Sequence, residues 1–455
     1  MNPSGLREEP MMSDFHRLAA TAAVCVWLAA VSWPCGADAG TPRALSPADA
    51  VKLAVDNHPT MNEALEHIEK ARQEMKSARA DFLPKATAAY SYTSLDETPY
   101  MSGLGMKINV AHNDLFHWNV TLAQPLFTGF ALKNRYELSQ LGVRAAETER
   151  RRVRLDLTEQ VTTAYFNVLQ SEKFCRVANE AVQNLTSHEA DAEKFYREGL
   201  IPYNDLLKAR VALANARQEK EKATAGVLVA RSALNILLNQ DLNQPIILED
   251  TAALPPVTES LEALIATALE HRPELQLLEL ALRQSDEGIQ LARSAFYPTV
   301  SLAARYEQTG KNAEADINDY SNRYNSSIRL QAEWTFFEWG KTRADVSVRR
   351  HRKKSVREKF NDVKNQVRLQ TKDALATLQV AGKNIQTAKI AMEQAKENWR
   401  ITQLQYRQHI ASSTDVLDAR TFLTQAQTNH YNALYGYLIS LGRLERAVGR
   451  QLHEP

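Results

Sequence analysis

The chain has little that bends or breaks a backbone. Its 455 residues include only 16 glycines and 16 prolines, while Ala, Leu, Gln, Glu, Lys and Arg abound, which favours a mostly helical protein. Neither sign of charge dominates: 55 Lys and Arg stand against 54 Asp and Glu. No basic field exists to attract nucleic acid. Long apolar runs are also missing. Beyond the N-terminal region no stretch approaches the roughly 18 apolar residues of a membrane helix, so membrane entry would require a β-barrel. There is no Gly-rich phosphate loop after a strand, no His-Glu-x-x-His and no Cys-x-x-Cys. An enzyme is not expected, and neither a cofactor nor a metal site is called for. The 11 histidines are scattered, and His188 and His409 read as solvated rather than as ligands.

The N-terminus reads as an address. Arg17 precedes an apolar run from Leu18 to Trp33, and Ala37-Asp38-Ala39 offers a small-x-small cleavage site before Gly40. Residues 1–39 are therefore expected to be a signal peptide, with Met11 or Met12 as alternative starts. Cys35 raises the question of a lipid anchor, but Ser32-Trp33-Pro34 before it is a poor lipoprotein signal. Cleavage after Ala39 would leave Cys175 alone, so no intramolecular disulfide is expected.

What is present is a duplication. Asn57-His58-Pro59 aligns with His271-Arg272-Pro273 at a shift of 214 residues, as does Ala78-Arg79-Ala80-Asp81-Phe82-Leu83-Pro84 with Ala292-Arg293-Ser294-Ala295-Phe296-Tyr297-Pro298. Past one length change the shift becomes 210, pairing Phe127 with Phe337 and Tyr196-Arg197 with Tyr406-Arg407. Asp205, Leu207, Ala209 and Arg210 likewise pair with Asp415, Leu417, Ala419 and Arg420. The expected organisation is a first repeat over 40–239, a Pro-bearing linker over 240–260 and a second repeat over 261–455, intertwined as one domain.

Each repeat contains a long ladder of small and apolar residues. From Leu157 through Val161, Ala164 and Val168 to Tyr196 the steps alternate four and three, and Val367 to Tyr406 repeats them. That 3.5-residue period keeps one seam against a partner helix. A helix from near Ala131 to Arg197 would be ~100 Å long at ~1.5 Å per residue. Its partner, from Leu206 to Leu237, is only about half as long. The segment from Pro273 to Ala295 supplies the missing length, so helices from the two copies are expected to stack end to end.

Elsewhere the period switches to two. Val300, Leu302, Ala304 and Tyr306 alternate with polar neighbours, as do Ile328, Leu330, Ala332, Trp334 and Phe336. Copy one shows Ala86, Ala88, Tyr90 and Tyr92, then Trp118, Val120 and Leu122. These are expected to be four strands of about ten residues, the length of a membrane-crossing strand. The opposite face, with Arg305, Glu307, Arg329 and Glu333, suits a water-filled lumen. Leu95–Phe116 and Gln308–Asn322 would be the connecting loops. A soluble sheet packed on the helices is the alternative. Four strands cannot close, and open edges are not tolerated in lipid, so the membrane reading demands an oligomer.

Taken together, the residues resemble the TolC-like outer-membrane efflux protein family. The likeness runs from about Leu45 to Gly449. It rests on Ala-Arg-x-x-Phe-x-Pro before each first strand, Pro125-Leu126-Phe127-Thr128-Gly129, and Tyr196-Arg197-Glu198-Gly199-Leu200 before Asp205-Leu206-Leu207. Asp415-Val416-Leu417-Asp418-Ala419 adds to it. The resemblance implies a homotrimer with a twelve-stranded barrel in outer-membrane lipid and a periplasmic tunnel of antiparallel coiled-coil helices. It also implies docking to a periplasmic adaptor and an inner-membrane pump through the hairpin tips, Gly199, Leu200 and Ile201 with His409, Ile410 and Ala411. The family's acidic constriction falls on Asp415 and Asp418, which share a helix face at i, i+3. Its latching tyrosine falls on Tyr406, with Asp205 the expected partner, whereas the family's arginine position is Ala411 here. The first copy carries Asp205 opposite Asp415 but Lys208 opposite Asp418. A helix-capping role explains the aspartate common to both copies, which leaves Asp418 as the stronger gate candidate. The competing function is a periplasmic coiled-coil structural or adaptor protein.

Overall fold

The computed structural model describes residues 44–103, 105–250 and 254–452; the signal-peptide segment lies outside them. Order along the chain is α1 (Pro47–Asn57), α2 (Pro59–Ala80), β1 (Lys85–Ser94), β2 (Tyr100–Gly103), β3 (Met106–Asn109), β4 (Asp114–Thr128), α3 (Ala131–Arg197) and α4 (Tyr203–Leu237). The second half repeats the plan with α5 (Leu261–His271), α6 (Pro273–Arg293), β5 (Thr299–Gly310), β6 (Tyr324–Glu333), α7 (Lys341–Arg407) and α8 (Ser413–Val448).

The repeated prolines explain the broken helices. A residue before proline is pushed out of the helical region, and both His58 (ψ 134°) and Arg272 (ψ 122°) are extended. Pro59 and Pro273 then sit at the first helical position, where the missing N–H costs nothing. Each copy thus enters as a short helix, breaks, and restarts. Ser46 and Ser260 cap the short helices by accepting from the N–H of Asp49 and Ala263.

The two long helices, α3 and α7, are each 67 residues. Their ladders lie inward as the 3.5 period requires: Leu157, Val161, Val168, Leu185 and Ala192 on α3, and Val367, Thr371, Leu378, Trp399, Thr402 and Tyr406 on α7, are buried. Tyr196 departs from the pattern, being 40% exposed. Its ring lies 5.2 Å from that of Tyr203, between centroids.

The shorter helices do stack end to end, but within a copy rather than between copies. The C-terminal end of α4 meets the start of α2, where Asn239 Nδ2 donates to the Asn57 carbonyl at 3.2 Å. The end of α8 meets the start of α6, where Arg446 pairs with Glu274 and Gly449 lies against the backbone of His271 and Arg272. Each joint places a C-terminal residue of positive φ, Asn239 or Gly449, on the proline break of its own copy. Around these joints runs the main core, which includes Leu157, Val161, Tyr165, Val168, Leu264, Tyr435, Leu444 and Val448. Two buried tyrosines tie the segment before α1 and the linker between the repeats into it. Tyr165 donates to the carbonyls of Leu45 and Glu249, both at 2.7 Å, and Tyr435 to Asp250 at 3.0 Å. Unpartnered, such a buried hydroxyl would cost about 1–3 kcal/mol.

Four strands form one antiparallel sheet in the order β1-β4-β5-β6, leaving β1 and β6 as edges. The register sets Thr121 opposite Arg305, Asn119 opposite Glu307, Ala303 opposite Arg329 and Thr299 opposite Glu333. Because side chains alternate, Arg305, Glu307, Arg329 and Glu333 share one face with His117, Asn119 and Thr121. Tyr90, Trp118, Val120, Leu122, Leu302, Tyr306, Ile328 and Leu330 share the other. The strand limits differ from expectation. β6 ends at Glu333, so Trp334 and Phe336 are not in it. The segment expected as a plain loop after β1 contains the β2–β3 hairpin, and β5 continues to Gly310.

The strand-to-helix corners carry paired left-handed residues, Gly129-Phe130 and Trp339-Gly340. Only the first corner is crowded. A Cβ on Gly129 would lie 2.4 Å from the Ser294 carbonyl oxygen, whereas one on Gly340 would meet nothing within 4 Å.

Candidate functional site: the hairpin tips

The two coiled-coil hairpins, α3–α4 and α7–α8, end in short turns of matching design. In each, a residue of positive φ stops the long helix: Gly199 (φ 72°) in the first and His409 (φ 61°) in the second. The next residue reaches back, Leu200 N–H to the Phe195 carbonyl (2.8 Å) and Ile410 N–H to the Gln405 carbonyl (2.9 Å), satisfying helix-end carbonyls. Leu200 and Ile410 then stand out in solvent, 53% and 70% exposed. The residues after them turn inward. Ile201 packs on Ala192, Leu206 and Ala209, and Ala411 on the cluster of Trp399, Tyr406 and Val416.

The second helix of each hairpin starts differently. Ser412 begins α8 with a capping box, accepting from the Asp415 N–H at 3.2 Å while Asp415 Oδ2 accepts from the Ser412 N–H and hydroxyl, each at 2.8 Å. These bonds hold the Asp415 carboxyl below the ordinary carboxylate range. In α4 the corresponding cap is Pro202, which offers no side-chain bond, and Asp205 instead pairs with Lys208 at 3.2 Å. Asp418 is exposed and engages no hydrogen bond or ion pair among the described residues.

Tyr406 is 2% exposed, its ring 4.7 Å from His188 and 5.5 Å from Phe195. Burial pushes its phenol up to about 12, and the nearby carboxylates of Asp191 and Asp205 add to the shift. Within the chain its hydroxyl forms no bond to Asp205, because Asp205 faces Lys208. The expected Tyr406–Asp205 pair is therefore replaced. The two hairpins are tied together by pairings that the sequence reading did not foresee. Arg407 Nε lies 3.2 Å from Asp191, Lys208 Nζ 3.4 Å from Thr414 Oγ1, and His188 Nε2 2.9 Å from Ser413 Oγ. His188, expected in solvent, is 2% exposed, and burial draws it down to about 4. The signal available was its place between ladder positions Leu185 and Ala192. Arg420 is buried too, over Trp399, with one terminal nitrogen 3.4 Å from the Val177 carbonyl.

On the sheet, Arg305 pairs with Glu307 at 2.9 Å and approaches His117 Nε2 at 3.3 Å. Arg329 and Glu333 are exposed on the same face.

A duplicated helix–strand–helix plan with these tips has close relatives in known proteins. The sequence pattern described as "Outer membrane efflux protein" matches residues 50–240 and 264–450. The chain belongs to the outer membrane efflux protein family. It is similar to the cation efflux system protein CusC of Escherichia coli, 24% identical over 80% of this chain and 81% of that one. It is also similar to the alkaline protease secretion protein AprF of Pseudomonas aeruginosa, 24% identical over 89% and 85%. Among solved structures, CusC superposes with a TM-score of 0.76 at 20% identity, covering 90% of this chain and 93% of that one. The outer membrane protein VceC of Vibrio cholerae gives 0.75 at 18%, covering 90% and 97%. Membership in the outer membrane efflux protein family places the chain in the outer membrane and among transporters rather than enzymes. The competing view of a periplasmic adaptor falls away.

Proposed function

We infer that the protein is the passive exit duct of a tripartite efflux or type I secretion assembly, receiving cargo from an inner-membrane pump through a periplasmic adaptor. The observation that carries this is one four-stranded sheet, apolar on one face and polar on the other, with both edges open. In lipid every strand edge must be paired, so three chains would close a twelve-stranded barrel. Arg305, Glu307, Arg329 and Glu333 would then face its lumen, and the β2–β3 hairpin and the 311–323 loop would lie outside the cell. After removal of residues 1–39, the repeats at 40–239 and 261–455, joined by 240–260, would form one intertwined unit.

The helices would build the tunnel below, with the tips as its far end. Gly199, Leu200, Ile201, His409, Ile410 and Ala411 form the adaptor-docking surface, led by the solvent-facing Leu200 and Ile410. Asp415 and Asp418 form the constriction, with Tyr406 and Asp205 packed behind it. Of the two carboxylates Asp418 is unengaged among the described residues, and three copies around an axis would focus a negative field. The names of relatives span cations, toluene and a protease, as suits a duct whose cargo is selected upstream.

In planar bilayers, replacing Asp415 and Asp418 by Ala is expected to raise conductance and weaken block by a trivalent cation at least about tenfold, the scale on which focused fields act. Unchanged block would remove both residues from the constriction.

A further inference from the structure

The buried histidine at the tips has no part in the constriction or the docking surface. His188 belongs to α3, in the first hairpin, yet its Nε2 meets the hydroxyl of Ser413, the first helical residue of α8, at 2.9 Å. Its ring lies 4.7 Å from that of Tyr406, the penultimate residue of α7. One side chain therefore touches both helices of the second hairpin beside its turn. We propose that His188 is the pin that holds the second hairpin's tip against the first, and that taking up a proton releases it. This rests on reading the tips as the gate.

The surroundings oppose a cation in the pinned state. The ring is buried, and it faces the N-terminus of α8, the positive end of that helix. The charged groups around it are already engaged. On α3, Asp191 pairs with Arg407 of α7, and Glu189 with Arg210 of α4. On α4, Asp205 pairs with Lys208. On α8, the Asp415 carboxylate is turned into its own cap. In the turn, His409 is exposed and stacks on Phe195 rather than on His188. Burial accordingly draws His188 down to about 4, against a partial opposing pull from Asp191, whereas a solvated ring titrates near 6.5. The sign follows. The pinned tip binds fewer protons than the released tip, so pinning is complete above about 6.5, weakens as pH falls below that value, and levels off below about 4.

The test is single-channel recording on the purified full-length protein in planar bilayers. Between about pH 7.5 and pH 5.5 the opening equilibrium of the wild type should rise by about tenfold per chain, as the two titration points require. His188→Gln, neutral throughout but still able to bond Ser413, should abolish that rise, and His351→Gln, at an exposed position of α7 far from the tip, should keep it. Ser413→Ala, which removes only the partner hydroxyl, should raise opening at the higher pH by severalfold and retain the response to acid. A pH response that survives His188→Gln, or that disappears with His351→Gln, overturns the pin while leaving the duct intact. So does Ser413→Ala opening no more than wild type. Absence of any conductance from inserted wild-type protein overturns the duct reading, and the pin with it.

Discussion

The two hairpin tips descend from one sequence but are held in opposite ways. The first is tied largely to itself: Asp205 to Lys208, Arg210 to Glu189, Ile201 into its own small core. The second leans on the first through Arg407 to Asp191, Ser413 to His188 and Thr414 to Lys208. Duplication supplied two equal hairpins; divergence made one a post and the other a leaf hung upon it. Where the post has Lys208, the leaf has the unengaged Asp418. Where the post shows Tyr196 to solvent, the leaf buries Tyr406. On the proposed reading of the tips as a gate, one part would stay and one would move, and the asymmetric bonding would provide both.

The corners above the hairpins offer the largest test of such asymmetry. Gly129→Ala should be destabilising by more than about 3 kcal/mol, because a left-handed backbone and a backbone clash at 2.4 Å act together. Gly340→Ala, in open space, should cost only the left-handed term of about 1–2 kcal/mol. Thermal unfolding of the folded oligomer would compare them, and equal losses would show that the corners are interchangeable. Next in size is the ion pair between post and leaf. Arg407→Ala should raise channel opening by up to about fivefold, since half-exposed pairs contribute ~0.2–1 kcal/mol, while Arg210→Ala, which loosens the post internally, should leave opening unchanged. Comparable in size is the cap. Ser412→Ala should lower stability by about 1 kcal/mol and Pro202→Ala hardly at all, read as a difference in melting temperature between the two single variants.

The long ladders and the two-residue alternation were legible because they are periodic, and period translates directly into which face is covered. The first long helix runs over the expected Ala131 to Arg197, and every polar strand residue named from alternation falls on one face of the sheet. The ends of the ladders were not legible. Tyr196 and Tyr406 occupy equivalent positions, and only the neighbouring hairpin decides that one is covered. The partners of Arg407 and His188 are likewise set by packing between segments more than 200 residues apart, for which the sequence carries no period. The helix joints show the same limit. Lengths revealed that short helices must be stacked in series, whereas the ends that meet were decided by where the proline breaks could accept a capped terminus.

Those joints have a mechanical consequence. Each continuous 67-residue helix runs beside a two-piece rod whose pieces meet at a hydrogen bond or an ion pair rather than through peptide bonds. A continuous rod resists bending along its whole length, while a two-piece rod yields at one place. If the tips turn as a gate, twist would be absorbed where Arg446 meets Glu274 and Asn239 meets Asn57, and the strands above would keep their alignment.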